Sequence, residues 1–353
     1  VTAQGRFAAL VEAATTHQRD RAWELAGGAW IEAARVAVDA GAVPSARQAL
    51  AAAGEAFRRD DRPTEASRAL RVALSYGPEP AEGAVLQVHL AGVCAELGAA
   101  DEALERLERA LDAAPPPLRA AVLDTRIGLV LGHRRKEEAR PLVAELLSGA
   151  GAVASAGRFR QGQLARLDGD LALARRLQHQ VIDALGSQPD AGAGVAAARM
   201  ELAELDLLDG RAVSAVAAGE AARREHEAAG RRGLAWRAEA ARARAAVEAG
   251  LAVFPGPLRQ GIAFATDRGL PMLLLELQLA VGTVLAASDP VVAREFLVAA
   301  LRSADQHQAP LSAGRARWVL AGMSAGPERE DLLARARLDL QDHVPLLRRL
   351  DAR

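Results

Sequence analysis

The chain has 353 residues, 44 basic against 45 acidic, and a formal net charge of −1. That balance argues against a dedicated nucleic-acid surface, which needs a net basic field. A single cysteine, Cys94, excludes an intrachain disulfide, and 3% aromatic content with abundant alanine leaves little from which to build a sheet. Asparagine is absent and Lys136 is the only lysine, a coding bias expected of a GC-rich bacterial genome.

Residues 1–43 read as an irregular opening hairpin whose second helix is long. Residues 1–20 hold Arg6, Glu12, Arg19 and Asp20 and no apolar run of signal-peptide length. Opening on Val1, the sequence reads as a fragment or as having a displaced start. Residues 44–250 carry the clearest frame. In 84–117, Leu90-Ala91 stands eight residues before Gly98; Asp101 to Leu104, Ala110-Leu111 and Pro115 follow. This is a helix with a small residue midway, a glycine turn that accepts positive φ, a second helix with alanines seven residues apart, and a proline stop.

The same frame recurs. The alanine opening the second helix falls at Ala66, Ala103, Ala139, Ala174, Ala215 and Ala293, and the late alanine at Ala73, Ala110, Ala222 and Ala300. Gly54, Ala91, Gly162 and Ala203 supply the small residue of the first helix. Gly98, Gly169, Gly210 and Gly250 supply the turn, replaced by Asp61 early and Ser288 late. Val181 and Leu146 take the late-alanine slots of their repeats. The 128–150 and 250–269 stretches fit poorly and predict distorted hairpins. Candidate breaks fall at 149–157, 186–194 and 254–257. Residues 251–353 read as degenerate repeats closed by a capping helix. The most apolar stretch, 269–287, is interrupted by Pro271, Glu276 and Gln278 and falls short of a membrane span.

This pattern resembles the tetratricopeptide repeat, best over 84–117. Residues 200–323 resemble the roughly 40-residue repeats found in sensor regions of bacterial transcription regulators, kinases and cyclases. The resemblance implies an all-α superhelical solenoid of antiparallel helical hairpins, about seven to eight repeats in one array, that works by holding another protein or peptide.

Motifs that could carry chemistry fail on context. Gly322 to Gly326 spells G-x-S-x-G, but a nucleophile elbow needs a strand before the serine, and here a helix precedes it. His226-Glu227 opens like a zinc-protease helix, yet Gly230 stands where the second histidine would be, so it reads as a solvated face ending at a glycine cap. Gly149-Ala150-Gly151 lacks the lysine of a phosphate loop. Cys94 reads as a small core residue. Arginine pairs such as Arg58-Arg59, Arg134-Arg135 and Arg223-Arg224 are interleaved with carboxylates, as solvated helix faces are. No enzyme, metal or cofactor is expected.

The remaining candidate is the concave groove lined by the first helix of each hairpin. Its register points inward Gln48, Glu55, Arg58, Asp124, Phe159, Gln163, Arg166, Met200, Glu204, Arg237, Arg244 and Gln278. Arginine with Phe and Met is the mixture expected of a binding surface. The tetratricopeptide clamp that grips a C-terminal carboxylate with Lys and Asn is excluded in its usual chemistry by composition, while arginine pairs could hold an acidic peptide differently. The leading expectation is a cytoplasmic scaffold or adaptor in a bacterial signalling or assembly pathway. A peptide or small-effector sensor is the alternative, favoured by a pocket that both ends of the solenoid close, with an apolar floor.

Overall fold

Ala, Leu, Arg and Glu dominate the composition, and the described residues are 83% helical. The computed structural model describes residues 2–133, 135–186 and 192–352, with only the backbone at Pro117. Among these are nineteen helices and no strand. The first eight are α1 (Ala3–Arg19), α2 (Trp23–Asp39), α3 (Val43–Arg59), α4 (Pro63–Ser75), α5 (Pro80–Glu96), α6 (Ala100–Ala113), α7 (Pro116–Gly132) and α8 (Lys136–Leu147). Then come α9 (Ala152–Asp168), α10 (Leu171–Leu185), α11 (Gly192–Leu208), α12 (Ala212–Ala228), α13 (Arg232–Glu248) and α14 (Gly256–Asp267). The last are α15 (Pro271–Leu285), α16 (Pro290–Gln306), α17 (Pro310–Gly322), α18 (Gly326–Leu340) and α19 (Val344–Asp351). Taken in order they form nine pairs and a final unpaired α19, more than the seven to eight repeats the sequence frame counts.

The alanine frame marks where paired helices meet. Ala66, Ala103, Ala139, Ala174, Ala215 and Ala293 are each the fourth residue of an even-numbered helix, and each is fully buried. Opposite them the first helix carries a residue with no room for more. A Cβ on Gly54 would lie 2.7 Å from the Leu70 side chain, and one on Gly162 would lie 2.4 Å from Gln178. The opening pair obeys the same rule. Ala26 and Ala33 are buried at the equivalent positions, and the second helix, α2, is long as expected: its 17 residues equal those of α12 and α16 and exceed the other second helices. The frame was hidden there because Arg21 replaces the turn glycine.

Turns between helices close with a left-handed residue, which lets the next N–H reach back to a carbonyl five residues earlier. Ala99 bonds Cys94 at 2.8 Å, Asp170 bonds Ala165 at 2.9 Å and Arg211 bonds Asp206 at 2.7 Å. Gly98, Gly169, Gly210 and Gly250 all have positive φ, and Asp61 takes the same role at 57°. Ser288 does not adopt positive φ; there Asp289 caps α16 by accepting from the Val292 N–H at 3.2 Å. Arg21 and Gln308 are left-handed without being glycine. A left-handed L-residue costs about 1–2 kcal/mol, partly offset because glycine loses more chain entropy on folding. Gln308→Gly therefore raises stability by about 0.5–1 kcal/mol net, which urea denaturation followed by circular dichroism measures.

The poorly matched stretches hold the shortened second helices. α8 has 12 residues with Pro141 inside it, and α14 also has 12. The predicted break at 149–157 is smaller than expected, since α9 already starts at Ala152 and Gly157 lies inside it. That glycine is there for close approach: a Cβ would sit 2.9 Å from the Leu147 backbone nitrogen. The break at 254–257 corresponds to the connection between α13 and α14. The centre of the 186–194 break, and Arg134, lie outside the described residues.

The chain divides into two compact units. Unit one is Val1–Arg126 with Arg268–Leu270, and unit two is Ile127–Asp267 with Pro271–Arg353. In unit one, α1 to α6 stack as successive pairs over alanine and leucine, with Leu70, Leu86, Leu90 and Leu107 fully buried. In unit two, α9 to α13 and α15 to α18 stack likewise, and α19 packs back on α18 and α9. No helix among the described residues is long and apolar enough to cross a membrane.

Candidate functional site

Within unit two the odd-numbered helices surround a cavity of about 450 Å³. Helical spacing supplies its wall, because residues three or four apart share a face. α9 contributes Phe159 and Arg166; α11 contributes Ala193, Ala197, Met200, Glu201 and Glu204. From α13 come Leu234, Arg237, Ala241 and Arg244, from α15 Glu276 and Leu279, and from α17 Leu311, Ser312 and Arg315. His226 reaches it from the last turn of α12 and Arg231 from the connection to α13. A smaller space of about 70 Å³ adjoins it. Glu204, Arg244, Leu279 and Arg315 border both, and Trp318, Leu346 and Arg349 line only the smaller one.

Ion pairs across neighbouring helices hold the wall in shape. Arg166 Nε lies 3.0 Å from Glu201, whose other oxygen accepts from Gln163 Nε2 at 2.8 Å. Arg237 meets Glu276 at 3.2 Å, and Arg315 pairs with Glu204. Despite that pair, burial beside Arg166 and Arg349 lowers the Arg315 guanidinium to about 10. Charge-assisted pairs largely removed from water are geometrically demanding, so they fix positions more than they add stability.

The C-terminal helix ties into the same network. His343 stands at the N-cap position of α19, with Nδ1 3.3 Å from the Leu346 nitrogen, and its Nε2 lies 2.9 Å from Arg166 Nη1. A neutral ring has one bare nitrogen, and guanidinium only donates, so the shorter bond from Arg166 claims it. Burial, then Arg166 and Arg315, push His343 down to about 2. Arg349 of α19 donates to the Leu207 carbonyl at 3.2 Å, pairs with Glu248, and stacks over Trp318. Thus α9, the first wall helix, and α19, the last helix, are joined through Arg166.

The structure brings together half of the groove residues expected from sequence. Phe159, Arg166, Met200, Glu204, Arg237 and Arg244 line the cavity, and Gln163 stands behind its wall through Glu201. Gln278 is half-buried on α15, off the cavity, with an unpartnered Oε1. Gln48, Glu55, Arg58 and Asp124 belong to unit one. There Gln48 is exposed and Arg58 is bonded to Glu55 through two nitrogens at 2.9 Å each, leaving both engaged within α3. Sequence register missed Leu311 and Arg315 of α17. The signal was available in the buried Ala313 and Ala316, but Gln308 in place of a turn glycine concealed the frame.

His226 is a correction: it is 4% exposed, where the sequence suggested a solvated face. The cap itself is as read, with Gly230 at a φ of 72° and the Arg231 N–H bonded to the His226 carbonyl at 2.8 Å. Burial, with Arg231 and Arg237 nearby, lowers the imidazole to about 4, so it is neutral near pH 7. Cys94 is buried, and burial pushes its thiol up to about 11. Residues 322–326 form the turn between α17 and α18, where Ser324 Oγ accepts from Arg294 at 2.9 Å. No group of three His, Cys, Asp or Glu among the described residues could hold a metal.

Paired helices with alanine contacts and left-handed turns define a tetratricopeptide-type repeat solenoid. Solved structures are similar to the chain. One is a Rap protein complexed with competence and sporulation factor, with a TM-score of 0.63 at 12% identity over 99% of this chain and 98% of the other. A second is a signal-transduction ATPase with a tetratricopeptide-repeat sensor from Pyrococcus horikoshii, with a TM-score of 0.50 at 11% identity over 89% of this chain and 50% of that one. A third is a tetratricopeptide repeat protein from Parabacteroides merdae, with a TM-score of 0.47 at 14% identity over 94% of this chain and 99% of that one. No protein-family model and no curated protein matches the sequence.

Proposed function

We propose that this protein is a protein- or peptide-binding module of a bacterial signalling pathway, and that unit two seats a short segment of its partner in the cavity. The observation that carries the reading is the convergence of several helix faces on one half-open cavity. Five odd-numbered helices supply the wall, and α19 packs back on the first of them. A volume of about 450 Å³ is in the range of ordinary ligand sites. Phe159, Met200, Leu234, Leu279 and Leu311 give it apolar surface, and arginines give it direction. A half-open cavity of this size supports a short peptide segment as the occupant. The Rap protein, similar in fold and solved in complex with competence and sporulation factor, supports the same class of role.

The test is capture of the native partner from the host, followed by titration. Truncating a true anchor costs more than about 2 kcal/mol. Phe159→Ala combined with Arg166→Ala therefore weakens binding at least tenfold while the helical signal is kept. Arg223→Ala with Arg224→Ala, which removes ion pairs to Glu220 on α12, leaves binding unchanged. Undiminished binding by the cavity variant, with loss in the α12 variant, would place the contact elsewhere.

A further inference from the structure

The charges around the cavity do not cancel. Five guanidiniums line it, from Arg166, Arg231, Arg237, Arg244 and Arg315, against three carboxylates and a neutral His226. Each carboxylate at the cavity or its smaller neighbour is already engaged. Glu201 is held by Arg166, Glu276 by Arg237, Glu204 by Arg315 and Glu248 by Arg349.

Arg244 is left over. It sits midway along the α13 face, half-buried, and borders both spaces. Among the described residues no carboxylate comes within ion-pair distance of it; Glu276 and Glu248 act on it only at longer range. Burial lowers its affinity for its proton. A cation partly withdrawn from water without a counter-ion destabilises the fold that holds it, so its retention points to a ligand that supplies the missing charge.

We infer that the segment bound in unit two carries a carboxylate and that Arg244 receives it. Arg244 lies where the two spaces meet, and its planar fork matches the two oxygens of a carboxylate. The carboxylate comes from an acidic side chain or from a free C-terminus. Leu279 and Ala241 beside it exclude water and strengthen the pairing. This inference rests on the cavity being a binding site, as proposed above.

The test uses two synthetic pools of random heptapeptides, one with free C-termini and one amidated, passed over the immobilised full chain and read by mass spectrometry. Retained peptides are expected to be enriched in Asp and Glu, or to require the free C-terminus; the amidated pool tells the two sources apart. Arg244→Met is expected to lower retention at least tenfold while raising the melting temperature, because it removes an uncompensated charge. Arg244→Lys, which keeps the charge but loses the fork, is expected to keep acidic selection with weaker retention, and it serves as the probe if the Met variant fails to fold. Retention of neutral or basic peptides would overturn the anion assignment and leave the binding site standing. Acidic selection that survives in Arg244→Met at full strength would do the same. Retention of nothing from either pool would overturn both.

Discussion

Gly157→Ala lowers the stability of unit two by about 2 kcal/mol, although alanine in mid-helix normally stabilises. Helix propensity alone favours the change by about 0.5–1 kcal/mol. At this site the added methyl would stand 2.9 Å from the Leu147 backbone nitrogen and 3.1 Å from the Leu146 carbonyl carbon. Backbone cannot swing aside as a side chain can, so α9 must shift away from α8. Overpacking of this kind costs about 1–3 kcal/mol, and more where nothing yields. Gly28→Ala in α2 is the control. Nothing lies within 4 Å of its Cβ position, and it gains about 0.5–1 kcal/mol. Urea midpoints of the two variants, moving in opposite directions, check both expectations. Two changes of the same sign would refute the close contact.

Acid weakens unit two well before its carboxylates titrate. His343 and His226 are 3% and 4% exposed, and burial beside arginines holds both rings neutral in the folded chain. The unfolded chain titrates them at the ordinary 6.5, the folded chain only near 2 and 4. Between these limits the unfolded state binds more protons, so stability falls as pH falls. Each pH unit costs about 1.4 kcal/mol per ring, so a drop to pH 5 removes about 2 kcal/mol from each. Carboxylates such as Glu220, held near 2 by Arg223, lose their contribution only below about 4.5. His343→Gln keeps an acceptor for Arg166 but cannot protonate, so it is expected to remove about half of the pH dependence. Tryptophan-monitored urea unfolding at pH 7 and pH 5 reads the effect, and an unchanged slope in the variant would refute it.

The fold was legible because its rule is local. An alanine at the fourth residue of the second helix, a small residue 12 positions earlier and a left-handed turn between them can be seen in any window that contains all three. Where one mark is missing the reading slipped. Arg21 and Gln308 occupy left-handed turns that sequence expects of glycine; beside Arg21 both Ala26 and Ala33 keep the register, whereas in α18 the fourth residue is Arg329 and Ala336 alone keeps it. The site was only half legible. Helical phase points residues inward, but it cannot say which of them share one cavity. Glu55 and Arg58 have the right phase and are paired within their own helix. Phe159 and Arg244 come together only through the order in which α9, α11 and α13 stack. His343 was missed because its partner Arg166 lies 177 residues away, beyond any local pattern.

The alanine contacts between paired helices divide the labour within each repeat. Helix spacing is set by methyl groups and glycine hydrogens on one side, while the cavity is written on another side of the odd-numbered helices. Changes at Phe159, Met200, Leu234 or Arg237 therefore leave Ala174, Ala215 and their partners untouched. Recognition can drift or be recoded residue by residue without asking the scaffold to be invented again. A library confined to those four positions would search new binding preferences on a constant frame.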